Sequence, residues 1–544
     1  MAYCPQCGTA VSEDLAKFCP SCGATLPALT ETAVQQKIKK SKLPFVILSA
    51  VLLLIIAVVT CEFIFNSRSA YAAVLAPLET DAFYAINPTP SQAKNAENIS
   101  EAFLAEPEVK SAWEDLQKDL FYDENLSFEE DVKPWLGGEV SYYITDIGMD
   151  ENYTFVFATR DKSKSDEFME KICDGKRYDK KTYKGIDIIT VQDNYAYDML
   201  FYAYIKNYLV ISSSDELIQQ AIDNSQNKGR NSISEEENYK KVLPKLPKNR
   251  FGYAYLKSDA LISDYIKDYF NYTSTDLPHE VGISLSFEKE RIRMDYVTSS
   301  GSGRAEKTGN IAGSLGMTPG DAIAYFGSAD MRKDFEELAD ALEEAWQLGY
   351  YGPLFYDMSL YIRELASLMS GEIAIVFLHD SIALNSELHD CGVYIIGVND
   401  IEAVKGKIQE ITYCFDGDYA DTIEGYEVFS VYEYGEEVFC YGFRDDYMVI
   451  APSTATFCSV VETKSDPLSE SRAFKKATTN NYPSDMYSCL YLDVARMVDL
   501  IRDSSEVGRE FREFYPIIKP IKDVRLSVKT TKDADMGTFF INMN

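Results

Sequence analysis

The apolar residues of this chain follow one pattern up to residue 66 and a different one after it. Residues 43–61 form an apolar run without a charged side chain, LPFVILSAVLLLIIAVVTC. As a helix rising ~1.5 Å per residue, the run would extend roughly 28 Å, close to the ~30 Å hydrocarbon core of a bilayer. A helix buried in a protein core normally carries a polar stripe, and this run has none. The pattern therefore predicts one transmembrane helix over residues 43–65, with the lipid bilayer as its partner.

The charges beside this run predict its orientation. Lys37, Lys39, Lys40 and Lys42 precede it, whereas Arg68 is the only nearby basic residue on the other side. The positive-inside rule then places the N-terminus in the cytoplasm and the body, from about residue 67 onward, outside the cell membrane.

A cleaved signal peptide is the alternative interpretation of the same run. Residues 70–72, Ala-Tyr-Ala, resemble a small-residue cleavage site. Signal peptides, however, place an apolar region of ~7–15 residues behind a short basic start. Here 42 residues precede a longer run. We therefore favour an anchor, and a single-pass protein of the cell membrane with an extracytoplasmic C-terminal body.

Beyond residue 66 the pattern changes to short alternating stretches and amphipathic helices. β-Branched and aromatic residues dominate three stretches that we predict to be strands, Glu139–Thr145, Thr154–Thr159 and Ile186–Val191. Apolar residues recur with helical spacing in Val109–Leu120 and Asp334–Trp346. Short turns between neighbouring strands indicate a mostly antiparallel sheet with helices covering one face. The fold class predicted for the body is α+β.

Self-comparison indicates that the body is a tandem repeat. Thr182–Val191 (TYKGIDIITV) matches Thr422–Val431 (TIEGYEVFSV) without a gap. Six further pairs of segments match in the same order, at offsets between 233 and 243 residues, and begin at Asp81 and Asp321, Gly138 and Gly371, Tyr208 and Tyr447, Tyr239 and Phe474, Ala254 and Leu490, and Val281 and Val524. We predict outer repeat 1 at residues 70–298 and outer repeat 2 at residues 315–544. Each would run strand, helices, two strands, helix, two strands, helices, strand, helix, strand.

Residues 299–314, SSGSGRAEKTGNIAGS, separate the two copies. Eight of these 16 residues are Gly or Ser, which is typical of a flexible linker or an exposed loop. The stretch GSGRAEKTG lacks the G-x₄-G-K-[ST] spacing of a phosphate-binding loop. We therefore predict a linker over 299–314 and no phosphate site in it.

Several loose motifs of the body recur in a known family. They are Asp81–Tyr84 after Pro77, the Gly138-Glu139 strand opening, Tyr208–Ile211, and Tyr239–Lys241 before Tyr253–Leu256. In these motifs the chain resembles an uncharacterised bacterial family, known only as a domain of unknown function, found in membrane-anchored envelope proteins. The resemblance covers roughly residues 70–544 and implies a fold and an envelope location. The family brings no assigned activity or catalytic residue, so none is carried over.

The first 26 residues carry two C-x₂-C pairs, Cys4 with Cys7 and Cys19 with Cys22, each within a CPxCG knuckle. Four thiolates suit a tetrahedral Zn²⁺ ion, with Zn–S distances of ~2.3 Å. Two disulfides are the alternative, which a reducing cytoplasm disfavours. The segment resembles the short zinc-ribbon heads of many bacterial membrane proteins. We predict a structural zinc ribbon over residues 1–26 and a basic juxtamembrane linker over 27–42.

Charge divides the chain in the same place. The 53 Lys and Arg stand against 86 Asp and Glu, which gives a net charge of −33. Residues 1–42 hold five basic and three acidic side chains, a net charge of +2, whereas residues 67–544 hold 48 basic and 82 acidic ones, a net charge of −34. Nucleic-acid binding needs clustered Lys and Arg. We therefore exclude nucleic acid as a partner of the outer body.

Other candidate chemistry in the body is sparse. Six Cys follow the anchor, and we expect them to be free buried thiols, with any disulfide confined to the second copy. Carboxylates at 123–131 and 416–421 offer Ca²⁺ ligands, but neither run has EF-hand spacing. His379 and His389 most simply flank a hairpin loop. Tyr is frequent, and we expect it to pack within the sheet rather than stack on glycans.

The sequence predicts a membrane-anchored, non-catalytic binding or scaffold module whose partner is an envelope protein or polymer. The main alternative is an extracytoplasmic enzyme that acts on envelope material through carboxylates in a cleft between the repeats. Transmembrane signalling is a third hypothesis, although no small-x₃-small seam marks the anchor for dimerisation. The sequence does not predict the oligomeric state.

Overall fold

The computed structural model describes residues 2–3, 10–11 and most of 70–544. The last range is described apart from residues 122–125, 148–151, 193–198, 258–279, 300–308, 333–334, 337–338, 340–353, 380–391, 413–417, 434, 464–465, 473, 476–485, 504–514 and 532–533. The chain divides into two compact units, Met1–Ile55 and Ile56–Asn544. In the first unit, strand β1 (Ala2–Tyr3) pairs antiparallel with β2 (Ala10–Val11). Among the described residues no helix is long and apolar enough to cross a membrane, and the run 43–61 lies outside them.

The first half of the body, residues 70–299, is organised around antiparallel strands. Its described strands are β3 (Ala82–Ile86), β4 (Leu136–Thr145), β5 (Asn152–Thr159), β6 (Arg177–Tyr183), β7 (Ile186–Gln192), β8 (Met199–Ile205), β9 (Tyr208–Ser212), β10 (Gly252–Lys257), β11 (Glu280–Glu288) and β12 (Arg291–Thr298). Across the sheet they follow the order β6-β7-β8-β9-β5-β4-β3-β10-β11-β12. Strand β3, the first strand of this half, therefore lies in the middle of the sheet, between β4 and β10.

The second half, residues 309–544, repeats this arrangement. Its described strands are β13 (Ala324–Ser328), β14 (Met369–Phe377), β15 (Gly392–Val398), β16 (Asp418–Ile423), β17 (Tyr426–Glu433), β18 (Glu436–Arg444), β19 (Tyr447–Ala451), β20 (Ser488–Asp493), β21 (Ile521–Thr531) and β22 (Ala534–Met543). They follow the order β16-β17-β18-β19-β15-β14-β13-β20-β21-β22. Each strand thus occupies the place of the strand numbered ten lower in the first half.

Helices connect and cover these strands. The described α-helices are α1 (Ala72–Leu75), α2 (Pro90–Leu104), α3 (Pro107–Phe121), α4 (Lys162–Cys173), α5 (Asp215–Gln226), α6 (Glu237–Val242), α7 (Ala312–Met317), α8 (Leu354–Leu368), α9 (Ile401–Thr412), α10 (Thr454–Val461) and α11 (Val494–Asp503). Single turns of 3₁₀-helix occur at Ile233–Glu235, Leu243–Lys245 and Leu468–Glu470, and a π-helical turn occurs at Phe128–Val132.

Local sequence explains why both halves form the same elements. The β6–β7 turn uses Lys184 and Gly185, with φ angles of 49° and 81°, and the β16–β17 turn uses Glu424 and Gly425, with 51° and 85°. Two consecutive positive φ angles are characteristic of the two-residue turns that match strand twist, and they favour Gly. Ser214 caps α5 and Ser453 caps α10, each accepting a hydrogen bond from the backbone N–H three residues on.

The two halves join edge to edge in one continuous sheet. Strand β12 pairs antiparallel with β22, and Asp295 lies directly opposite Thr538. Val281 pairs with Thr298 in the first half, as Val524 pairs with Ile541 in the second. These two pairs show that residues of β11 and β12 correspond to residues 243 positions later, in β21 and β22. Asp295 and Thr538 are therefore equivalent positions. Where these two residues face each other, the Thr538 hydroxyl donates a hydrogen bond of 2.9 Å to Asp295 Oδ1.

Each half has its own apolar core beneath the sheet. In the first half, α1, α5 and α6 pack with Phe83, Tyr143 and Tyr255. In the second, α7 and α10 pack with Tyr325 and Tyr491. The predicted α+β class, with a large antiparallel sheet and covering helices, is confirmed. The three predicted strands and the helix over 109–120 are present, whereas most of the helix predicted over 334–346 lies outside the described residues.

The predicted order of elements was incomplete. Four strands, β6 to β9, follow α4 where two were predicted, and a two-stranded hairpin, β11–β12, ends the half where one strand was predicted. Strand β6 gave no apolar signal because six of its seven residues are exposed. The repeat alignment was also wrong by two residues at β3, because matching Asp81 with Asp321 sets Phe83 against Ile323. Phe83 pairs with Tyr255, and Tyr325 pairs with Tyr491, which is the counterpart of Tyr255. Phe83 therefore corresponds to Tyr325. A slip of two preserves the inward face, so the apolar pattern could not reveal it.

The C-terminal end of the predicted linker 299–314 differs from expectation. Helix α7 begins at Ala312, inside the segment. Ile311 and Ser314 are buried, because both pack into the core of the second half. This end of the segment is therefore part of the second half and not an exposed linker.

Candidate functional site

The four predicted zinc ligands, Cys4, Cys7, Cys19 and Cys22, lie outside the described residues. The paired strands β1 and β2 lie on either side of the first C-x₂-C pair in the sequence. In the part of the body that the structure describes, no group of three or more His, Cys, Asp or Glu side chains is placed to hold a metal ion.

The outer cysteines that the structure describes are thiols and do not form disulfides with one another. Cys173 and Cys458 are half-buried, whereas Cys440 and Cys489 are buried. Burial raises the pKa of the Cys440 thiol to about 12, so it stays protonated at neutral pH. Cys391 and Cys414 lie outside the described residues.

Two of the carboxylates considered for Ca²⁺, Glu129 and Asp131, are engaged with lysines. Asp131 accepts hydrogen bonds from the Ser127 backbone N–H at 2.7 Å and from Lys171 at 2.5 Å. Glu129 forms an ion pair with Lys133 at 2.7 Å. These contacts neutralise the charge that would attract a cation. Residues 123–124 and 416–417 of the candidate Ca²⁺ runs lie outside the described residues, and so does His389.

One buried glutamate in each half binds the short helix at the start of that half. Glu139 Oε1 accepts from the Ala72 N–H at 2.8 Å and Oε2 from the Tyr71 N–H at 3.0 Å. Tyr208 also donates to Oε2, at 3.2 Å. Burial raises the pKa of the Glu139 carboxyl, although these donors oppose the shift.

The second half contains the equivalent arrangement. Glu372 Oε1 accepts from the Ser314 N–H at 2.7 Å, and Oε2 accepts from the Tyr447 hydroxyl at 2.5 Å. Both glutamates are less than a tenth exposed. Since a carboxylate at a helix N-terminus satisfies otherwise unpaired N–H groups, this repeated contact holds α1 and α7 against the sheet. Its occurrence in both halves indicates a structural role.

An open cavity of about 440 Å³ lies in the first half. It lies between α6, the segment after it, and strands β3 and β10. Its apolar wall includes Leu243 and Leu246, and its polar wall includes Tyr239, Tyr253, Lys248 and Arg250.

The guanidinium of Arg250 is oriented by an aromatic ring. Its central carbon lies 4.2 Å from the centroid of the Tyr253 ring. The Tyr253 and Tyr239 hydroxyl oxygens lie 3.0 Å apart in a hydrogen bond. Burial raises the pKa of Tyr239 to about 12 and also raises that of Tyr253, so both phenols are neutral and able to donate.

The cavity carries positive charge that the described protein does not neutralise. Within the described residues, neither Arg250 nor Lys248 forms an ion pair, whereas Lys240 at the rim pairs with Glu235 at 2.6 Å. Burial lowers the pKa of Arg250, but an arginine starting near 12.5 remains charged at neutral pH. An unpaired cation in a body of net charge −34 is notable, because acidic partners are abundant.

The second half carries different side chains at the equivalent described positions. Leu285 and Val528 are equivalent by the offset of 243 residues, so their strand partners, Gly252 and Ser488, are equivalent too. Two residues before these partners, Arg250 corresponds to Met486. By the same pairing, Cys489 replaces Tyr253 and Arg525 replaces Gly282. The Arg525 guanidinium is 1 % exposed and lies 4.7 Å from the Phe474 ring centroid. The first half has no room for that arginine, because a Cβ added to Gly282 would lie 2.4 Å from Val242 Cγ1.

A much smaller cavity, of about 50 Å³, lies where the halves meet. Two carboxylates, Glu290 and Asp523, line it. Asp523 accepts a 2.5 Å hydrogen bond from Asn542. The space is enough for about one water molecule at ~30 Å³ of liquid volume, and not for a sugar ring.

Sequence reasoning missed Arg250 and found Tyr239 only as part of a repeated segment. The signal that was available is a departure from the repeat: the positions of Arg250 and Tyr253 hold Met486 and Cys489 in the second copy. An apolar pattern does not mark such a difference, since neither Arg250 nor Met486 changes the elements around it.

Comparisons with known proteins give a family but no activity. A protein-family model described as "Protein of unknown function (DUF3352)" matches residues 46–389, more than half of the 544 residues. The comparison with curated proteins found no match.

Similar solved structures include three crystal forms of TP0453. Forms I, III and IV are 9%, 11% and 12% identical in sequence to this chain. The similarity covers 44%, 43% and 43% of this chain and 82%, 80% and 83% of TP0453, each with a TM-score of 0.25. A TM-score this low carries no argument about the fold or function of the chain.

Proposed function

This chain belongs to the DUF3352 family of proteins of unknown function, and we propose that it is a single-pass membrane protein whose extracytoplasmic body binds a ligand without catalysing a reaction. The ligand would be a small envelope molecule, or an exposed group of an envelope protein or polymer. The proposal has three parts: the binding body, the anchor and the zinc head.

The observation that carries the proposal is the open cavity of the first half. Ligand sites are typically concave, mostly apolar, and fitted with a few polar groups, with volumes of roughly 300–1,000 Å³. The cavity at Arg250, at about 440 Å³, has these properties. The second half uses the same framework with Met486 and Cys489 at the positions of Arg250 and Tyr253. Because the framework does not require these two polar side chains, a ligand is the simplest reason for them.

The arrangement of carboxylates favours binding over the alternative of an enzyme between the repeats. General acid–base catalysis needs a group within hydrogen-bond reach of a bound substrate. At the junction, Glu290 and Asp523 face a space too small for a substrate. The buried Glu139 and Glu372 are occupied by helix N–H groups and tyrosines.

The anchor and the head rest on the sequence. The apolar run 43–61 and the lysines before it support an anchor with a cytoplasmic N-terminus. The thiolates of Cys4, Cys7, Cys19 and Cys22 are a donor set that fits Zn²⁺. When bound, the ion would supply folding free energy to a head too small for its own core.

Native mass spectrometry of the full chain, extracted from membranes in mild detergent, tests all three parts. We expect the mass of the chain plus one zinc ion and one small molecule. Lys248→Trp, which places a ring at the cavity wall, should remove the small molecule, and Lys245→Trp, on the same segment but outside the cavity, should retain it. Cys19→Ser should remove the zinc, and protease added to intact cells should digest the body but not the head.

The outcomes separate the parts of the proposal. Absence of a bound molecule from the wild-type chain, or equal retention by both tryptophan variants, would overturn the binding function. Digestion of the head in intact cells would overturn the topology. A chain without zinc would overturn the ribbon.

A further inference from the structure

We infer that the first-half cavity binds a small organic oxyanion, a carboxylate or a phosphate monoester joined to an apolar ring or chain. The inference rests on the proposed binding function and adds the chemical class of the ligand. It follows from the unpaired cations, the neutral phenols and the apolar wall, which lie together around one space.

The unpaired guanidinium defines the charge of the ligand. Arg250 is half-buried, and among the described residues its partner is the Tyr253 ring alone. Removing a cation from water without a counter-ion costs free energy, and the attraction of an anionic ligand would offset that cost. Arginine presents a planar set of donors that matches the two oxygens of a carboxylate or phosphate.

The neighbouring polar groups add donors and no competing acceptor charge. The hydroxyl pair of Tyr239 and Tyr253 has one O–H that is not used within the pair, because two hydroxyls in one hydrogen bond leave a second proton. Lys248 lies on the exposed side of the cavity and has no ion pair in the described part of the chain. No Asp or Glu lines the cavity among the described residues.

The remaining wall defines the uncharged part of the ligand. Leu243, Pro244 and Leu246 face the space together with the tyrosine rings. Water against such a wall is displaced favourably by apolar groups, at roughly 25 cal/mol per Å² of buried surface. A bare inorganic ion would use the cations and leave this wall in contact with water. The ligand should therefore combine an oxyanion with an apolar group.

Calorimetric titration of the full chain in detergent tests the inference with four small probes. Phenyl phosphate and benzoate carry both charge and ring, benzyl alcohol carries only the ring, and inorganic phosphate carries only the charge. We expect one site for phenyl phosphate, benzoate or both, and the preference identifies the oxyanion. Benzyl alcohol and inorganic phosphate should bind at least about tenfold more weakly, as expected for loss of a charged hydrogen bond or of apolar burial.

Two variants assign the binding to the cavity. Arg250→Met introduces the residue found at the same position of the second half, so the framework is known to accommodate it. It should weaken the anionic probes by at least about tenfold. Lys245→Met removes a nearby exposed lysine that does not line the cavity and should change affinity less than about twofold.

Each contrary result bears on a different claim. Equal affinity of Arg250→Met and wild type for the anions, or tight binding of benzyl alcohol, would overturn the anionic class while leaving the cavity as a site. Inorganic phosphate binding as tightly as phenyl phosphate would overturn the apolar part. Failure of all four probes would overturn the inference, whereas the proposed binding function would still be decided by the molecule retained from membranes.

Discussion

The two halves of the body share a framework of ten strands and differ in the side chains around Arg250. Both begin with a short helix held by a buried glutamate, and both place their first strand in the middle of the sheet. Arg250 borders an open cavity in the first half, whereas the second half has Met486 at this position, with the Arg525 guanidinium beside it.

The comparison separates structural features from candidate functional ones. A feature present in both copies is explained by the requirements of the fold, which the copies share. A feature present in one copy is not needed for folding, because the other copy folds without it. By this criterion Glu139 and Glu372 are structural, and Arg250 and Tyr253, which the second copy replaces with Met486 and Cys489, are candidates for function.

The largest expected effect tests the features that the halves share. Glu139→Ala and Glu372→Ala each leave helix N–H groups and a tyrosine hydroxyl without an acceptor in a buried position. We expect each variant to lower the free energy of unfolding of its own half by about 3 kcal/mol. Peptide-resolved hydrogen exchange measures the two halves separately.

An exposed glutamate serves as the control for these variants. Glu129→Ala removes a surface ion pair with Lys133 and should cost less than about 0.5 kcal/mol. If one of the two buried glutamates were replaceable at the same small cost, the halves would not be equivalent at this contact.

A smaller effect, of opposite sign, tests the difference between the halves. Arg525 is buried and stacks on Phe474, and the described residues provide no carboxylate for it. Arg525→Met should therefore raise the stability of the second half by about 2 kcal/mol, because it removes a buried charge that has no counter-ion. Arg250→Met, at the more open position, should change stability by less than about 0.5 kcal/mol.

Urea unfolding of both variants, monitored by hydrogen exchange in each half, checks this pair. A loss of stability in Arg525→Met would show that the stacked guanidinium supports the second half. The two arginines would then differ in structural importance, and not simply in the space around them.

The smallest expected effect is a pH dependence at Glu139. Burial raises the pKa of this carboxyl in the folded protein, so the native state holds the proton more tightly than the unfolded chain. The contribution of Glu139 to stability is then fully present below the unfolded pKa and is lost as pH rises through the folded pKa.

Glu139→Gln, which keeps an acceptor but does not titrate, should remove this dependence. The stability difference between wild type and Glu139→Gln should therefore decrease as the pH of the urea titration rises from 4 to 8. Lys245→Met, which changes no carboxyl group, controls for general effects of pH. A difference that stays constant over this range would contradict the raised pKa.

Much of the framework could be predicted because it depends on local patterns. The hairpin turn at Lys184 and Gly185 recurs at Glu424 and Gly425, and the strands beside it match without a gap. Strands such as β4 and β5 alternate apolar and polar residues or are dominated by β-branched and aromatic ones, which is enough to identify them.

The cavity could not be predicted, because it depends on how the segment from Ser234 to Tyr253 folds back on itself and not on an apolar pattern. Leu243 and Leu246 border the cavity from the segment after α6, and Arg250 and Tyr253 border it from β10 and the segment before it. None of these residues alters a local pattern. Strand β6 was missed for a related reason, since an exposed edge strand carries charged residues and no apolar periodicity.

The pairing of β12 with β22 has a consequence for the origin of this architecture. Equivalent residues Asp295 and Thr538 lie opposite each other, which is the arrangement of an isologous interface between two identical subunits. A single ancestral half would therefore have had an edge strand able to pair with that of a second copy. Fusion of the two copies makes that assembly permanent within one chain, and it frees each copy to change alone, as the differences at Arg250 and Arg525 show.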